Sequence, residues 1–327
     1  ANREMFSHHP RRAKEIIKLI SRLPYYSSLK KRQKLFDKYT NECLKLSKLY
    51  RTEQQVIDNA IDYGCIVCGS DQIWNVSKEA AEAANYIYFL NFPKKQRRVS
   101  YAASFGSWVK EAPNHEEEFL PWLKQFDSIS VRETSGVEYV RSLGLDCELC
   151  LDPTVLLDKE DYDVICSERL ISEKYILMFG WNTNDDLINA ARKASKELGL
   201  PVYNIVPPPR GIGSGIPKKL DVGPCEFLSM IKYAEFIVTN SFHGTAFATT
   251  YEKPYVSVVS GGKADLRMSS LLKQLGLDDN LTTVEKFDVN KLMKTDFKDV
   301  AEKKKILRKS SIDFLKRALD GLEDNHD

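Results

Sequence analysis

The stretch Phe236-Ile237-Val238-Thr239-Asn240-Ser241-Phe242-His243-Gly244 decides how this 327-residue chain folds. Phe236 to Thr239 is a short apolar run, which predicts a buried parallel strand, and a helix is predicted over 244–251. A strand leading through a polar turn into a helix is the repeating half of a doubly wound sheet. Such sheets take ligands at the carboxyl ends of their strands. His243 therefore falls between strand and helix, where a phosphate meets backbone N–H groups and the positive end of the helix dipole. Gly244 permits close backbone approach, and an imidazole exchanges protons near neutral pH. The competing reading is a histidine packed and hydrogen-bonded at a helix start.

The same alternation extends both ways. Before it come a predicted strand over 175–180, a helix over 185–198, a strand over 201–206, a Gly/Pro-rich loop over 207–217 and a helix over 226–232. After it come a strand over 255–259, a helix over 268–275 and a long helix over 299–319. An earlier block alternates as well. It has strands over 65–68, 98–104, 128–132 and 147–151, with helices over 116–126 and 133–143. Pro153 and the charged run 158–163 read as a linker. The predicted fold is α/β, with two Rossmann-like domains facing across a cleft. The domains are predicted over 1–155, without a first strand, and 156–295. Residues 296–327 form a C-terminal helix expected to pack back on the first domain.

Length and composition agree with two soluble domains: 43% of residues are hydrophobic and 29% charged. The 48 basic and 46 acidic residues nearly cancel, against a dedicated nucleic-acid binder. No apolar run approaches the roughly 20 residues that span a bilayer. The start at Ala1 lacks an initiator Met and reads as a possible fragment boundary. Seven Cys, an odd number, fit reduced thiols and a cytoplasmic location. The pairs Cys65/Cys68 and Cys147/Cys150 lie inside predicted strands, where residues three apart point to opposite faces. They read as core thiols, and no metal site is expected. Gly211 to Gly215 follows three prolines and reads as a loop over the cleft, with no Walker pattern. Residues 11–34 carry nine Lys or Arg against the single acid Glu15, interleaved with apolar residues. That pattern suits the inner face of an anionic membrane or the solvated face of a packed helix.

Polar groups recur at the predicted strand exits. Ser70, Asp71 and Gln72 follow the first strand, Ser104 the second, and Arg132 and Glu133 the third. Asp71 reads as a base for a sugar hydroxyl or as a turn cap. Arg132 reads as a planar fork for carboxylate or phosphate, or as the partner of Glu133 or another acid.

Gly-Ser-Asp-Gln-Ile-Trp-Asn (69–75), Ser-Tyr-Ala-Ala-Ser-Phe-Gly (100–106) and Ser-Val-Arg-Glu-Thr-Ser-Gly (130–136) occur in this order. Leu-Asp-Pro-Thr-Val-Leu-Leu (151–157), Thr-Asn-Ser-Phe-His-Gly-Thr-Ala-Phe-Ala (239–248) and Arg-Met-Ser-Ser-Leu-Leu (267–272) follow. The set resembles the polysaccharide pyruvyl transferase family over residues 55–280. The resemblance implies a bacterial cytoplasmic enzyme with a GT-B-like fold. It implies phosphoenolpyruvate as donor substrate, no cofactor, and a sugar or lipid-linked oligosaccharide of a cell-surface or exopolysaccharide glycan as acceptor. The product is a pyruvate ketal.

By that resemblance Arg132 and His243 lie near the donor and Asp71 matches a family Asp, and His243 and Asp71 are the expected catalytic residues. From their places at strand exits and helix starts, Arg132, Asn240, Ser241, Gly244 and Arg267 are expected to bind the donor, and Ser70, Gln72, Ser104 and Glu133 to be further substrate contacts. Many members have Arg where this chain has Ser241, so Arg267 or Lys263 is expected to hold the donor's second anionic group. Members also begin with a strand and an Asn-Tyr-Gly-type loop that this chain lacks. Two alternatives stay open: a nucleotide-sugar-dependent glycosyltransferase of the same fold, and a non-catalytic glycan-binding protein with a degenerate site.

Overall fold

The computed structural model describes residues 13–59, 63–75, 86–90, 96–106, 116–180, 183–209, 214–259 and 265–320. In chain order the helices are α1 (Ala13–Arg22), α2 (Tyr26–Cys43), α3 (Glu53–Asn59), α4 (Glu116–Leu123), α5 (Thr134–Ser142), α6 (Pro153–Leu156) and α7 (Lys159–Asp163). They continue with α8 (Asp185–Leu198), α9 (Pro224–Lys232), α10 (Phe242–Thr250), α11 (Leu266–Leu275), α12 (Val289–Leu292) and α13 (Phe297–Leu319). The chain forms two α/β units, each built on its own parallel sheet.

In the first-sheet unit the strands are β1 (Cys65–Cys68), β2 (Arg97–Ala103), β3 (Ser128–Val131) and β4 (Glu148–Leu149), paired parallel in the order β1-β2-β3-β4. Val99, Tyr101 and Ala102 of β2 pack with Phe314 and Ala318 of α13. The register then shifts between Ser100 and Ala103, and Ala102 takes a left-handed φ of 51°. A bulge of this kind re-aims the residues after it. Ala103 and Phe105 accordingly join the other core, with Trp74, Phe89 and Phe119. Trp74 is fully buried, and its ring stacks on Phe89 at 5.4 Å and meets Phe105 at 5.1 Å.

In the second-sheet unit the strands are β5 (Ile176–Phe179), β6 (Val202–Asn204), β7 (Phe236–Thr239), β8 (Tyr255–Val258) and β9 (Leu281–Thr282). All pair parallel in the order β6-β5-β7-β8-β9. The order reverses at β5, because β6 lies on one side of it and β7 on the other. The β5/β7 exit is therefore the switch point of this sheet. α8 starts on Asn184, whose side chain accepts the N–H of Leu187, and stops at Gly199 with φ of 65°.

The predicted boundary at 155/156 lies next to the observed passage from Leu156 to Leu157. The domain predicted over 1–155 differs at its start. The described residues up to Leu46 belong with the second sheet, where α2 packs on α9. The predicted linker also differs: it contains α6 and α7, the latter opened by a capping box between Asp158 and Asp161. Asp265–Asp278 and Phe297 onward return to the first-sheet unit. Among the described residues, no helix is long and apolar enough to cross a membrane.

Candidate functional site

In the second-sheet unit the site begins where β7 ends. The helix was predicted from Gly244, but α10 starts at Phe242, so His243 lies within its first turn. Ser241 is the N-cap, with extended φ −105° and ψ 134°, and its Oγ accepts the N–H of Gly244 at 3.5 Å. Its own N–H donates to Thr239 Oγ1 at 3.0 Å, and its carbonyl accepts Thr245 N–H at 3.0 Å. The position where the resemblance leads to the expectation of Arg is thus a helix cap in this chain.

Gly244 lies so close to β7 that a Cβ there would come within 2.2 Å of Thr239 Oγ1. At the exit of β5, a Cβ on Gly180 would come within 2.3 Å of Asn240 Oδ1. The two exits therefore abut, and Asn240, Ser241 and half-buried His243 stand at the switch point. The turn has the dipole of a nine-residue helix behind it.

In the first-sheet unit the strand exits form a charged cluster around Arg132. Its side chain is 1% exposed. Nη2 donates to Asp71 Oδ1 at 3.0 Å, and Nη1 donates to Asp152 Oδ2 at 2.5 Å. Glu133 Oε2 lies 4.0 Å from Arg132 Nε. Of the two readings of Arg132, the structure shows the partner of acids: the protein's own carboxylates meet its guanidinium.

Asp152 was not among the predicted site residues, yet it anchors the cluster. Its Oδ2 also accepts Ser70 Oγ at 2.6 Å, and its Oδ1 accepts both the N–H and the hydroxyl of Thr154, at 2.9 and 2.6 Å. Burial pushes its carboxyl upward, but Arg132, Ser70 and Thr154 outweigh burial and hold it below 3.8. Its place in Asp152-Pro153-Thr154, at a fourth strand exit, was the available sequence signal.

Glu133 and Ser104 are both fully buried, which corrects their reading as substrate contacts. Glu133 Oε1 accepts the N–H of Phe105 at 2.8 Å, and Ser104 Oγ accepts the N–H of Gly106 at 3.0 Å. Burial pushes the Glu133 carboxyl up to about 7, against the pull of Arg132 and the Phe105 N–H. Asp71 stays accessible, with 62% of its side chain exposed and a left-handed φ of 61°. Gln72 is exposed and accepts the amide of Asn75 at 2.6 Å.

Arg267 is gripped by Asp265, another residue absent from the predicted site, through Nε to Oδ1 at 2.9 Å and through Nη2 to Oδ2. Its charge also interacts with Glu133 and Asp71. α11 is tied to α5 by the Thr134 N–H, which donates to Ser270 Oγ at 3.1 Å. Lys263 lies outside the described residues. The cluster holds three aspartates, a glutamate titrating near neutrality and two arginines, so it is not a cationic receptor. Within the described residues the helix start at Ser241 is the better anion seat.

Cys68, Cys147 and Cys150 are buried core thiols, and burial pushes Cys147 up to about 12 and Cys150 up to about 11. Thiols so raised are poor nucleophiles at neutral pH.

No curated protein sequence matches the chain. Among solved structures, S. aureus MnaA, in a co-structure with UDP, is similar at 13% identity over 93% of this chain and 94% of that one, with a TM-score of 0.50. The UDP-GlcNAc 2-epimerase of Methanocaldococcus jannaschii is 12% identical over 80% of this chain and 78% of its own, with a TM-score of 0.48. That of Rickettsia bellii is 14% identical over 94% and 95%, with a TM-score of 0.44. At 13% identity the likeness to S. aureus MnaA is one of fold, the GT-B type with two Rossmann-like domains. The motifs in their order, the switch-point helix start and the match of residues 6–261 to the family model lead to one assignment: the chain belongs to the polysaccharide pyruvyl transferase family.

Proposed function

We propose that the protein transfers a pyruvyl group from phosphoenolpyruvate to two hydroxyls of a glycan sugar, forming a ketal. The observation that carries this reading is the helix start Ser241-Phe242-His243 at the β5/β7 switch point, in a chain of this family. A helix start of this kind favours an anionic donor group. His243 is the acid that protonates the donor's methylene carbon, or the ligand of its phosphate. Asp71, accessible and oriented by Arg132, is the base that takes the hydroxyl proton.

The balance is simple. A proton adds to the methylene carbon, and a sugar oxygen bonds the adjacent carbon as its own proton leaves. The carbon–oxygen bond to phosphate then breaks, and a second hydroxyl closes the ketal. Of the two hydroxyl protons, one ends in the new methyl group and the other on the released hydrogen phosphate.

The test is calorimetric titration of phosphoenolpyruvate into the full chain, with UDP and inorganic phosphate as comparisons and His243→Ala as the variant. Saturable binding of phosphoenolpyruvate that the substitution weakens supports the reading. Tight UDP binding without phosphoenolpyruvate binding replaces it with the nucleotide-sugar glycosyltransferase. Binding of neither favours a glycan-binding protein.

A further inference from the structure

We propose that α1, α2 and the turn joining them dock the protein on an anionic lipid surface. The inward side of this segment is committed to the second-sheet unit. Leu29 is 2% exposed, and Arg32 donates to the Ile205 carbonyl at 3.4 Å. Leu35 sits where a Cβ on Gly223 would come within 2.5 Å of its own Cβ. The outward side is different. Leu19, Ile20, Leu23 and Tyr26 are 44%, 59%, 62% and 52% exposed, which is unusual for large apolar side chains grouped within eight residues. Lys30 and Lys34 follow at four-residue steps from Tyr26 and are exposed as well.

An apolar patch continued by lysines is the pattern of a helix lying in a membrane interface: the apolar part enters the acyl boundary and the lysines reach anionic headgroups. Charge selects this occupant over a second copy of the chain. Lys30 and Lys34 continue the exposed face, and Glu15 is the single acid of residues 11–34, so two copies of the patch would bring like charges together, whereas an anionic surface attracts them. The segment lies on the membrane and does not cross it, in keeping with the described helices. The proposal does not depend on the reaction assigned above, and its test reads lipid binding only.

The experiment is co-sedimentation of the full chain with phosphatidylcholine vesicles, with and without 30% phosphatidylserine. Salt is varied, and size-exclusion chromatography is run alongside. Binding is expected only with phosphatidylserine and should weaken as salt rises. Replacing the two lysines with Gln should lower partitioning about 5-fold each, and the triple change Leu19→Ser, Ile20→Ser, Leu23→Ser should abolish it. All five side chains are exposed, so melting temperatures should stay near wild type, and the lysine variant is a separate reading should the triple variant fail to fold. Absent or lipid-indifferent binding, or binding that neither set of substitutions weakens, overturns the proposal. A dimer that the triple variant dissociates, without vesicle binding, gives the patch to a second copy.

Discussion

Asp152 and Asp71 share one guanidinium: Arg132 Nη1 is 2.5 Å from Asp152 Oδ2 and Nη2 is 3.0 Å from Asp71 Oδ1. Asp152 is buried and fully hydrogen-bonded, so it fixes the arginine, and the arginine fixes the accessible aspartate. Asp152→Asn leaves a buried guanidinium short of one charge, and removing one partner of such a pair costs about 3 kcal/mol. The native Asp152 carboxyl lies below 3.8, so its contribution is present above that value and lost as pH falls through the folded value. Urea unfolding of wild type and variant should show the largest gap at neutral pH, closing on acidification. A gap that does not depend on pH contradicts the pair's role.

Glu133 has the opposite sign. Its carboxyl is held near 7 against an ordinary 4.5, so the native state keeps a proton that the unfolded chain releases. Stability is therefore lost as pH rises from about 4.5 through 7 and is level beyond. Relative to Glu133→Gln, wild type should lose about 3 kcal/mol at most between pH 4.5 and 8. Parallel denaturant curves at the two pH values measure it, and equal differences at both rule it out.

His243→Ala and Asp71→Asn should each leave a folded protein whose transfer rate falls about 100-fold or more. Phosphate release, followed with a glycan acceptor, reads the rate, and circular dichroism reads the fold. Near wild-type turnover in either variant removes that residue from the chemistry.

Ser241→Arg sets cap against charge. Loss of the N-cap hydroxyl should cost about 1 kcal/mol, seen as a lower urea midpoint. The added guanidinium at the helix start should tighten phosphoenolpyruvate binding by about 10-fold, seen calorimetrically. Lower stability without tighter binding would mean that no anion is held there.

Gly244→Ala places a methyl group against Thr239 Oγ1, at 2.2 Å before relaxation, and overpacking of this kind costs about 1–3 kcal/mol. Thermal unfolding should show the loss, and a second change, Thr239→Ala, should return part of it.

Strand and helix positions were legible because their signals are local. Phe236–Thr239 and Cys65–Cys68 read as strands from their apolar runs, and Asp185–Leu198 as a helix from its periodicity. The exit loops were legible as well, which is why Asp71, Arg132 and His243 were singled out. Helix starts were less so. Phe242 and His243 sit in the first turn because Ser241 caps it, and a Ser before two bulky residues gives only a weak cap signal.

By itself, the sequence determined the α/β alternation, the order of the motifs and hence the family, since each depends on residues near one another in the chain. Tertiary structure alone decided what the charged residues do. Arg132 meets Asp71 from 61 residues away and Asp152 from 20 away. Glu133, adjacent to Arg132 in sequence, is buried with a raised carboxyl. The β5/β7 switch point exists only once β6 and β7 flank β5. Which partners a charge finds, and how much water it keeps, are set by long-range packing that local spacing does not encode.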